Sequence, residues 1–256
     1  MTTNELLESA MGVGRRLLEN GAEIHRVEES MQRICRAGGA ESADIYAVPA
    51  AIIATVRAPG EEPVTRICRI EGQRVDLHRI DCLNALSRAL CAEDGGWTAE
   101  RVARELAAID GMPGYPYAAR LLACAGGIAF FTLLFGGTWA QAACAFGIGV
   151  ALRVLLEELK KRRVNTLFQN MLGGMWIGAA ALAVFELRLV AGYDTIIIGS
   201  IMALVPGLAI TNALRDLIAG DFVTGITRIT EALLVAAGIA VGVAIPLSVF
   251  GGVLGV

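Results

Sequence analysis

Charge is distributed so unevenly along this chain that two different solvents are implied. Of the 47 formally charged side chains, 32 lie in residues 1–120, and only 15 are spread over the 136 residues that follow. The second part contains four uncharged stretches of at least 20 residues each. Because a bilayer core about 30 Å thick needs about 20 apolar residues per helix, the sequence predicts a membrane-spanning second half behind a water-exposed first half.

The predicted fold is a membrane α-helical bundle of five transmembrane helices preceded by a small cytoplasmic α+β domain. The longest uncharged stretch, residues 121–152, is long enough for two helices, which the sequence Gly136-Gly137-Thr138 separates. We therefore expect an α+β domain at residues 1–114 and a membrane domain at residues 115–256. The predicted spans are residues 117–136, 139–157, 164–187, 194–218 and 224–250.

The positions of Lys and Arg predict the orientation of these spans. Four consecutive basic residues, 160–163, follow the second span, and Arg215 and Arg228 flank the loop after the fourth. The first loop has no basic residue and the third has only Arg188. Because basic residues accumulate in cytoplasmic loops, we expect a multi-pass protein of a bacterial-type inner membrane. Its N-terminus would be cytoplasmic and its C-terminus outside, in agreement with an odd number of spans.

Apolar periodicity predicts both helices and strands in the first domain. Glycines end the first two helices, β-branched runs on either side of the sequence PGEE favour a hairpin, and Thr98 caps the last helix. The predicted elements are helices at residues 4–20 and 22–36, strands at residues 44–58 and 63–70, a short strand near residues 74–77, and two further helices.

Sequence motifs for catalysis, metal binding or nucleic-acid binding are absent from the chain. The two histidines, His25 and His78, have no second histidine at helical spacing, and the six cysteines form no C-x-x-C pair. No P-loop, G-x-S-x-G or G-x-G-x-x-G pattern occurs. We therefore predict no catalytic residue, no metal and no cofactor. The formal net charge of -3 and the shortness of the basic runs argue against a nucleic-acid partner.

The fourth predicted span contains Pro206 and Gly207 near its middle. Proline removes a backbone hydrogen bond and can kink or unwind a helix, which frees peptide groups to face a cavity. Interruptions of this kind point to a binding site in transporters. Thr211 and Asn212 follow the break by about one helical turn. The alternative is a plain kink with no ligand.

Charged side chains lie close to this break in the sequence. Arg215 follows it, and Arg228 and Glu231 lie three residues apart, so they share one helix face. Charges at membrane depth are costly and usually face the bundle interior. An arginine there could hold a carboxylate with two hydrogen bonds, and Glu231 is the candidate proton carrier. The alternative is a solvated cytoplasmic rim that includes Arg215 and Arg228.

Two segments resemble signatures of the threonine/serine exporter family. They read GAEIHRVEESMQRI, residues 21–34, and PGLAITNALRDLIAGDFVTGITRITEA, residues 206–232. The resemblance extends over almost the whole chain. The family has fused members that export threonine and serine, and split members in which a five-span chain with this N-terminal domain works beside a small five-span partner. One split pair is associated with succinate export, and this chain is similar to the larger split subunit.

The resemblance implies secondary export of a small carboxylate-bearing metabolite, driven by the proton gradient. The substrate would be an amino acid of the threonine/serine type or a dicarboxylate such as succinate. The implied partners are the lipid bilayer, the small-molecule substrate, a small five-span membrane subunit and, as an open possibility, further copies of the chain.

The resemblance also implies roles for individual residues of this sequence. Proton coupling would fall to Glu231 or Asp216. The helix that carries Glu23, His25, Arg26 and Glu28 would regulate or gate transport. The implied substrate-binding residues are Pro206, Gly207, Thr211, Asn212, Arg215 and Arg228.

Two other classes of function stay open at the sequence level. One is a membrane-anchored hydrolase whose N-terminal domain uses Glu23, His25, Glu28 or Asp44, although no turn that would position a nucleophile is recognisable. The other is a sensor or assembly scaffold that moves no solute.

Overall fold

The chain divides into two compact units. A computed structural model describes the backbone of residues 1–72, 74–93 and 96–254, and the side chains of these residues up to 250. Residues 255 and 256 of the predicted membrane domain lie outside the described residues. The first unit comprises Met1–Pro113 together with Asn212–Ile226, and the second comprises Gly114–Thr211 together with Thr227–Val256.

Helices dominate both units, and a single small sheet lies in the first unit within the described residues. The strands are β1 (Ser42–Val48), β2 (Ala51–Arg57) and β3 (Val64–Arg69). The helices are α1 (Thr3–Glu19), α2 (Ile24–Ala37), α3 (Leu77–Ala92), α4 (Ala99–Asp110), α5 (Tyr117–Leu134), α6 (Trp139–Lys161), α7 (Thr166–Glu186), α8 (Asp194–Ile201), α9 (Gly207–Ile218) and α10 (Phe222–Leu254).

The sheet is antiparallel in the order β1-β2-β3, and α1 and α2 pack against one of its faces. In β2 the side chains of Ile52, Ala54 and Val56 are fully buried, whereas Ile53 is exposed. This alternation follows from the two-residue period of a strand. The buried face joins the apolar stripes of α1 and α2 in one core.

Two strand predictions in this unit were wrong. Residues 44–58 were expected to form one strand, but β1 and β2 are separate strands joined by a tight turn at Pro49 and Ala50. Proline cannot donate to a strand ladder, so the pairing reverses there. Residues 74–76 form no strand, because the side chain of Asp76 accepts a hydrogen bond from Arg79 N at 3.1 Å and so begins α3.

The second unit contains the helices that are suited to a bilayer. Among the described residues, four helices are long and apolar enough to cross a membrane: α5, α6, α7 and α10, the last over Phe222–Phe250. Large apolar side chains on their outer faces are exposed, for example Phe130, Trp139 and Leu233. Such surfaces are compatible with lipid as the surrounding solvent.

The segment predicted as one span at residues 194–218 is not one continuous helix. It consists of α8, with eight residues, a turn at residues 202–206, and α9, with twelve. Pro206 has no N–H to continue the helical ladder. In the turn, Leu204 N donates instead to Ile201 O at 2.8 Å, three residues back. Five continuous spans are therefore replaced by four continuous helices and one interrupted segment.

Glycines allow two helices of the second unit to approach very closely. A Cβ atom added to Gly174 on α7 would lie 2.7 Å from Ile239 O on α10, and one added to Gly178 would lie 3.0 Å from Val243 O. Small residues permit this backbone contact where no hydrophobic effect drives helices together.

We expect Gly174→Val to destabilise the membrane unit, because the backbone of α10 blocks the new side chain. Overpacking of this kind costs about 1–3 kcal/mol, and the thermal unfolding temperature of the full chain in detergent should fall accordingly. Gly147→Val on α6 is the matched control, since nothing lies within 4 Å of a Cβ atom at Gly147. Equal stability of the two variants would contradict close α7–α10 packing.

Candidate functional site

The two signature segments meet within the first unit. Gly21 ends the turn after α1 with a φ of +89°, a conformation that favours glycine. Glu23 then occupies the N-cap position of α2 but makes no side-chain capping hydrogen bond. Its carboxylate instead forms an ion pair with the guanidinium of Arg215 on α9. Residues separated by most of the chain are thus joined by a direct charge contact.

A second acidic residue of α2 lies at the same junction. Glu28 Oε1 accepts a hydrogen bond from Ala47 N in β1 at 2.8 Å. Burial raises the pKa of the Glu28 carboxyl above its ordinary value of 4.5, and the negative charge of Asp221 raises it further. The Ala47 amide and His25 act in the opposite direction. Asp221 lies in the turn between α9 and α10, so this turn is close to α2 as well.

The α9–α10 turn is a tightly packed hairpin with polar groups inside. A Cβ atom on Gly225 would lie 3.0 Å from Ala213 O, so the two helices are in near contact. Asp216 is only 3% exposed, and Thr224 is fully buried. Burying a carboxylate is costly unless it is compensated, so the interior of this hairpin depends on polar interactions as well as on apolar packing.

The structure distributes the predicted site residues over both units. The first unit holds Asn212, Arg215 and Asp216 together with all four predicted gating residues, of which His25 and Arg26 are exposed. The second unit holds Pro206, Gly207, Thr211, Arg228 and Glu231.

The predicted residues of the second unit differ in their surroundings. Arg228 is 8% exposed, whereas Glu231 lies on the exposed surface of α10. The Thr211 hydroxyl donates to Gly207 O at 3.0 Å, which satisfies a carbonyl at the start of α9. Ser200, one turn before the break, is fully buried, and its hydroxyl has no hydrogen-bond partner among the described residues.

A basic cavity of about 490 Å³ lies in the second unit beside the interrupted segment. Ala203 and Leu204 of the turn form part of its wall, so the break and the cavity adjoin. The other lining residues come from α5, α6 and α7. They are Arg120, Arg153, Leu156, Glu157, Lys160, Lys161, Gln169 and Asn170.

Two of the cationic side chains of this cavity approach one carboxylate. Glu157 Oε1 lies 3.0 Å from Arg153 Nη2 and 3.7 Å from Arg120 Nη2. Four cationic side chains and one carboxylate line the cavity, so its electrostatic potential favours an anion.

Sequence reasoning missed Arg120, Arg153 and Glu157 as site residues. The available signal was Arg153 and Glu157, an ionisable pair four residues apart inside the predicted span 139–157. Such residues in a span are functional candidates by default. Metal chemistry has no comparable support: within the described part of the chain, no group of three or more His, Cys, Asp or Glu side chains could hold a metal ion.

The helices and their apolar surfaces define a multi-pass membrane protein with a small α+β unit. The sequence profile of the family described as "Putative threonine/serine exporter" matches residues 8–250. The chain therefore belongs to the threonine/serine exporter family.

Two curated relatives carry the same family name. The chain is 25% identical over 251 residues to a "Probable threonine/serine exporter" of Mycobacterium tuberculosis, covering 96% of this chain and 46% of the relative. It is 32% identical over 149 residues to a "Threonine/serine exporter" of Corynebacterium glutamicum, covering 57% of this chain and 30% of that protein. The chain thus spans less than half the length of each relative. No solved structure matches it significantly.

The raised pKa of Glu28 predicts a pH-dependent stability. The folded state holds the Glu28 proton more tightly than the unfolded state, so the free energy of unfolding should fall as pH rises from 4.5 through the raised pKa. Glu28→Gln keeps an acceptor for Ala47 N and removes the charge. We expect this variant to unfold at a higher temperature than the wild type at pH 7, with the difference vanishing near pH 4.

Thermal unfolding of the full chain in detergent between pH 4 and pH 8 measures this effect. Glu41→Gln, at an exposed position before β1, serves as the control and should leave the pH profile unchanged. A Glu28→Gln profile parallel to that of the wild type would exclude Glu28 as the titrating group.

Proposed function

We propose that this chain is a subunit of a secondary transporter that exports a small carboxylate-bearing metabolite from the cytoplasm. The substrate would be an amino acid of the threonine/serine type, as the names of the relatives indicate, or a dicarboxylate such as succinate. The observation that carries the proposal is the basic cavity beside the broken helix in a multi-pass bundle. Irregular backbone at membrane depth is tolerated where it is buried or lines a polar cavity.

We propose that α8, the turn at residues 202–206 and the start of α9 form an additional, interrupted crossing, which gives five crossings in all. Glu23 and Arg215 form an ion pair within one unit, so they lie on the same side of the membrane. An even number of crossings must then separate them. Since α5, α6 and α7 supply three, the segment at residues 194–211 is the available fourth. The basic residues 160–163 support a cytoplasmic location for the first unit, with the C-terminus outside.

We further propose that the Glu23–Arg215 pair belongs to a gate. It joins the α9–α10 hairpin to the start of α2 within the first unit, and α9 begins at the break that adjoins the cavity. His25, Arg26 and Glu28 on the same helix would adjust this contact. Regulation by the first unit would therefore act through α9 on the interrupted segment, with Pro206, Gly207, Thr211 and Asn212 forming the moving wall of the solute path.

Charge reversal tests this gate. Glu23→Arg and Arg215→Glu should each lower efflux several-fold, because like charges then face each other, and the double variant should recover most of the activity. The pair is partly exposed, so its contribution to stability should be small, about 0.5–1 kcal/mol. Efflux of labelled threonine and succinate from loaded cells measures the effect. Absence of recovery in the double variant would contradict a direct functional contact.

Glu231 remains the proposed proton carrier, with Asp216 as the second candidate. Glu231→Gln should abolish efflux driven by a proton gradient while the protein still inserts, because glutamine cannot carry the proton. Exchange of labelled for unlabelled substrate without a gradient is the control and should persist. Unchanged gradient-driven efflux would remove Glu231 from the coupling mechanism.

We propose that a small five-span membrane subunit supplies what corresponds to the remaining half of the longer relatives. The support is the coverage of only 46% and 30% of their lengths, and assembly with further copies of the chain is a compatible arrangement. The efflux measurements above therefore compare cells that express the chain alone with cells that also express such a subunit.

A further inference from the structure

We propose that Arg153 and Arg120 form the carboxylate-binding subsite of the cavity, and that Glu157 occupies this subsite when no substrate is bound. Glu157 would act as an internal stand-in for the substrate carboxylate, and the arriving substrate would displace it. The proposal rests on the proposed export function and assigns residues to its binding step.

The geometry of the cluster carries the first part of the argument. Arg120 extends from the first turn of α5, whereas Arg153 and Glu157 lie one turn apart on α6. Both guanidinium groups approach the same oxygen, Glu157 Oε1, at 3.7 Å and 3.0 Å. Two arginines from different helices that converge on one carboxylate oxygen are arranged as a carboxylate clamp.

Two buried polar atoms of the cluster also support the proposal, because they lack hydrogen-bond partners. Arg153 Nε and Glu157 Oε1 are both buried, and neither has a hydrogen-bond partner within the described residues. Arg153 and Glu157 are therefore close enough to form an ion pair, but their atoms are not aligned as a hydrogen bond requires. A buried donor without a partner is destabilising. Glu157 does not bond to Nε and Nη2 together. Once it is displaced, a free carboxylate could approach the vacated edge of the guanidinium and bond to both atoms.

The remaining charges explain how Glu157 could leave without becoming an isolated buried charge. Lys160 and Lys161 follow it by three and four residues, so they lie on the same helix face. Lys161 Nζ is already 3.5 Å from Glu158 Oε2, and both lysines line the cavity. Across the cavity, α7 presents Gln169 and Asn170, which are uncharged. Displaced Glu157 would pair with these lysines while the arginines hold the substrate.

This arrangement has a functional consequence for the empty transporter. With Glu157 in the clamp, the arginine charges are compensated in both the loaded and the empty state. A carrier must return empty or exchange its load, and uncompensated arginines would oppose that step because charges inside a membrane are costly.

The test is equilibrium binding of labelled succinate and labelled threonine to the purified full chain in detergent. Glu157→Gln removes the competing charge and should lower the Kd for both ligands about threefold or more. Arg153→Lys keeps the charge but loses the two-point contact, and it should raise both Kd values roughly tenfold. Arg162→Gln, which removes a cation paired with Glu158 outside the cavity lining, is the matched control and should leave both unchanged.

Each other outcome overturns a specific part. Weaker threonine binding by Glu157→Gln, with unchanged succinate binding, would make Glu157 a partner for the substrate ammonium group and refute the stand-in role. Wild-type affinity in Arg153→Lys, with unfolding temperatures matched, would refute the clamp while the export function stands. If efflux also fails in cells that express wild-type chain and partner subunit, the export function fails and the clamp with it.

Discussion

The second unit depends on one physical constraint, which is that a bilayer core offers no hydrogen-bond partner to the peptide backbone. Helices α5, α6, α7 and α10 meet it by pairing their peptide groups internally. In the proposed interrupted crossing, the turn at residues 202–206 would meet it only in part, by bonds three residues back such as Leu204 N to Ile201 O. A segment of this kind is stable at membrane depth only where protein or a polar cavity surrounds it. For the proposed crossing, the basic cavity that Ala203 and Leu204 line would fulfil this condition.

The two family signatures, residues 21–34 and 206–232, contain the features that connect the interrupted segment to the first unit. The first contains the sharp Gly21 turn and a Glu23 whose carboxylate is not used to cap its own helix. The second contains the proline break and the α9–α10 hairpin with its buried Asp216. The Glu23–Arg215 ion pair connects the N-terminus of α2 to α9, and so links the two segments directly. Both α9 and α10 have residues in each unit, so the chain itself connects the hairpin to the interrupted segment.

Sequence reasoning was most successful where the apolar periodicity of one segment, or one helix-capping residue, determines the local structure. The sequence Gly136-Gly137-Thr138 separates α5 from α6, as expected. Thr138 and Gln141 form a capping box that begins α6. It was weaker where pairing decides. Pro49 and Ala50 divide a β-branched run into two strands, and the antiparallel pairing of β1 with β2 shows this. One cap was also missed, because Asp76 begins α3 where a short strand was expected near residues 74–77.

The sequence predicted the break at Pro206 but not the cavity cluster of Arg120, Arg153 and Glu157, and the difference has a physical reason. Pro206 is visible in the sequence because proline acts locally on the backbone. Arg153 and Glu157 are visible in the sequence only as an ionisable pair near the end of a predicted span, whereas their approach to Arg120, 33 residues before Arg153 and on another helix, appears only in the structure. Arg215 shows the reverse case, because its sequence position favoured the substrate path but its side chain pairs with Glu23.

The different surroundings of Arg215 and Arg153 suit these two arginines to different roles. Arg215 is largely exposed and already paired across a junction of the first unit, so a solute carboxylate would have to compete with Glu23 in a high-dielectric setting, where an ion pair is worth little. Arg153 has a buried, unsatisfied Nε in a basic cavity, where a charge-assisted hydrogen bond is stronger. The proposed recognition of a solute carboxylate is therefore better suited to the membrane unit, and the proposed control of access is better suited to the Glu23–Arg215 junction.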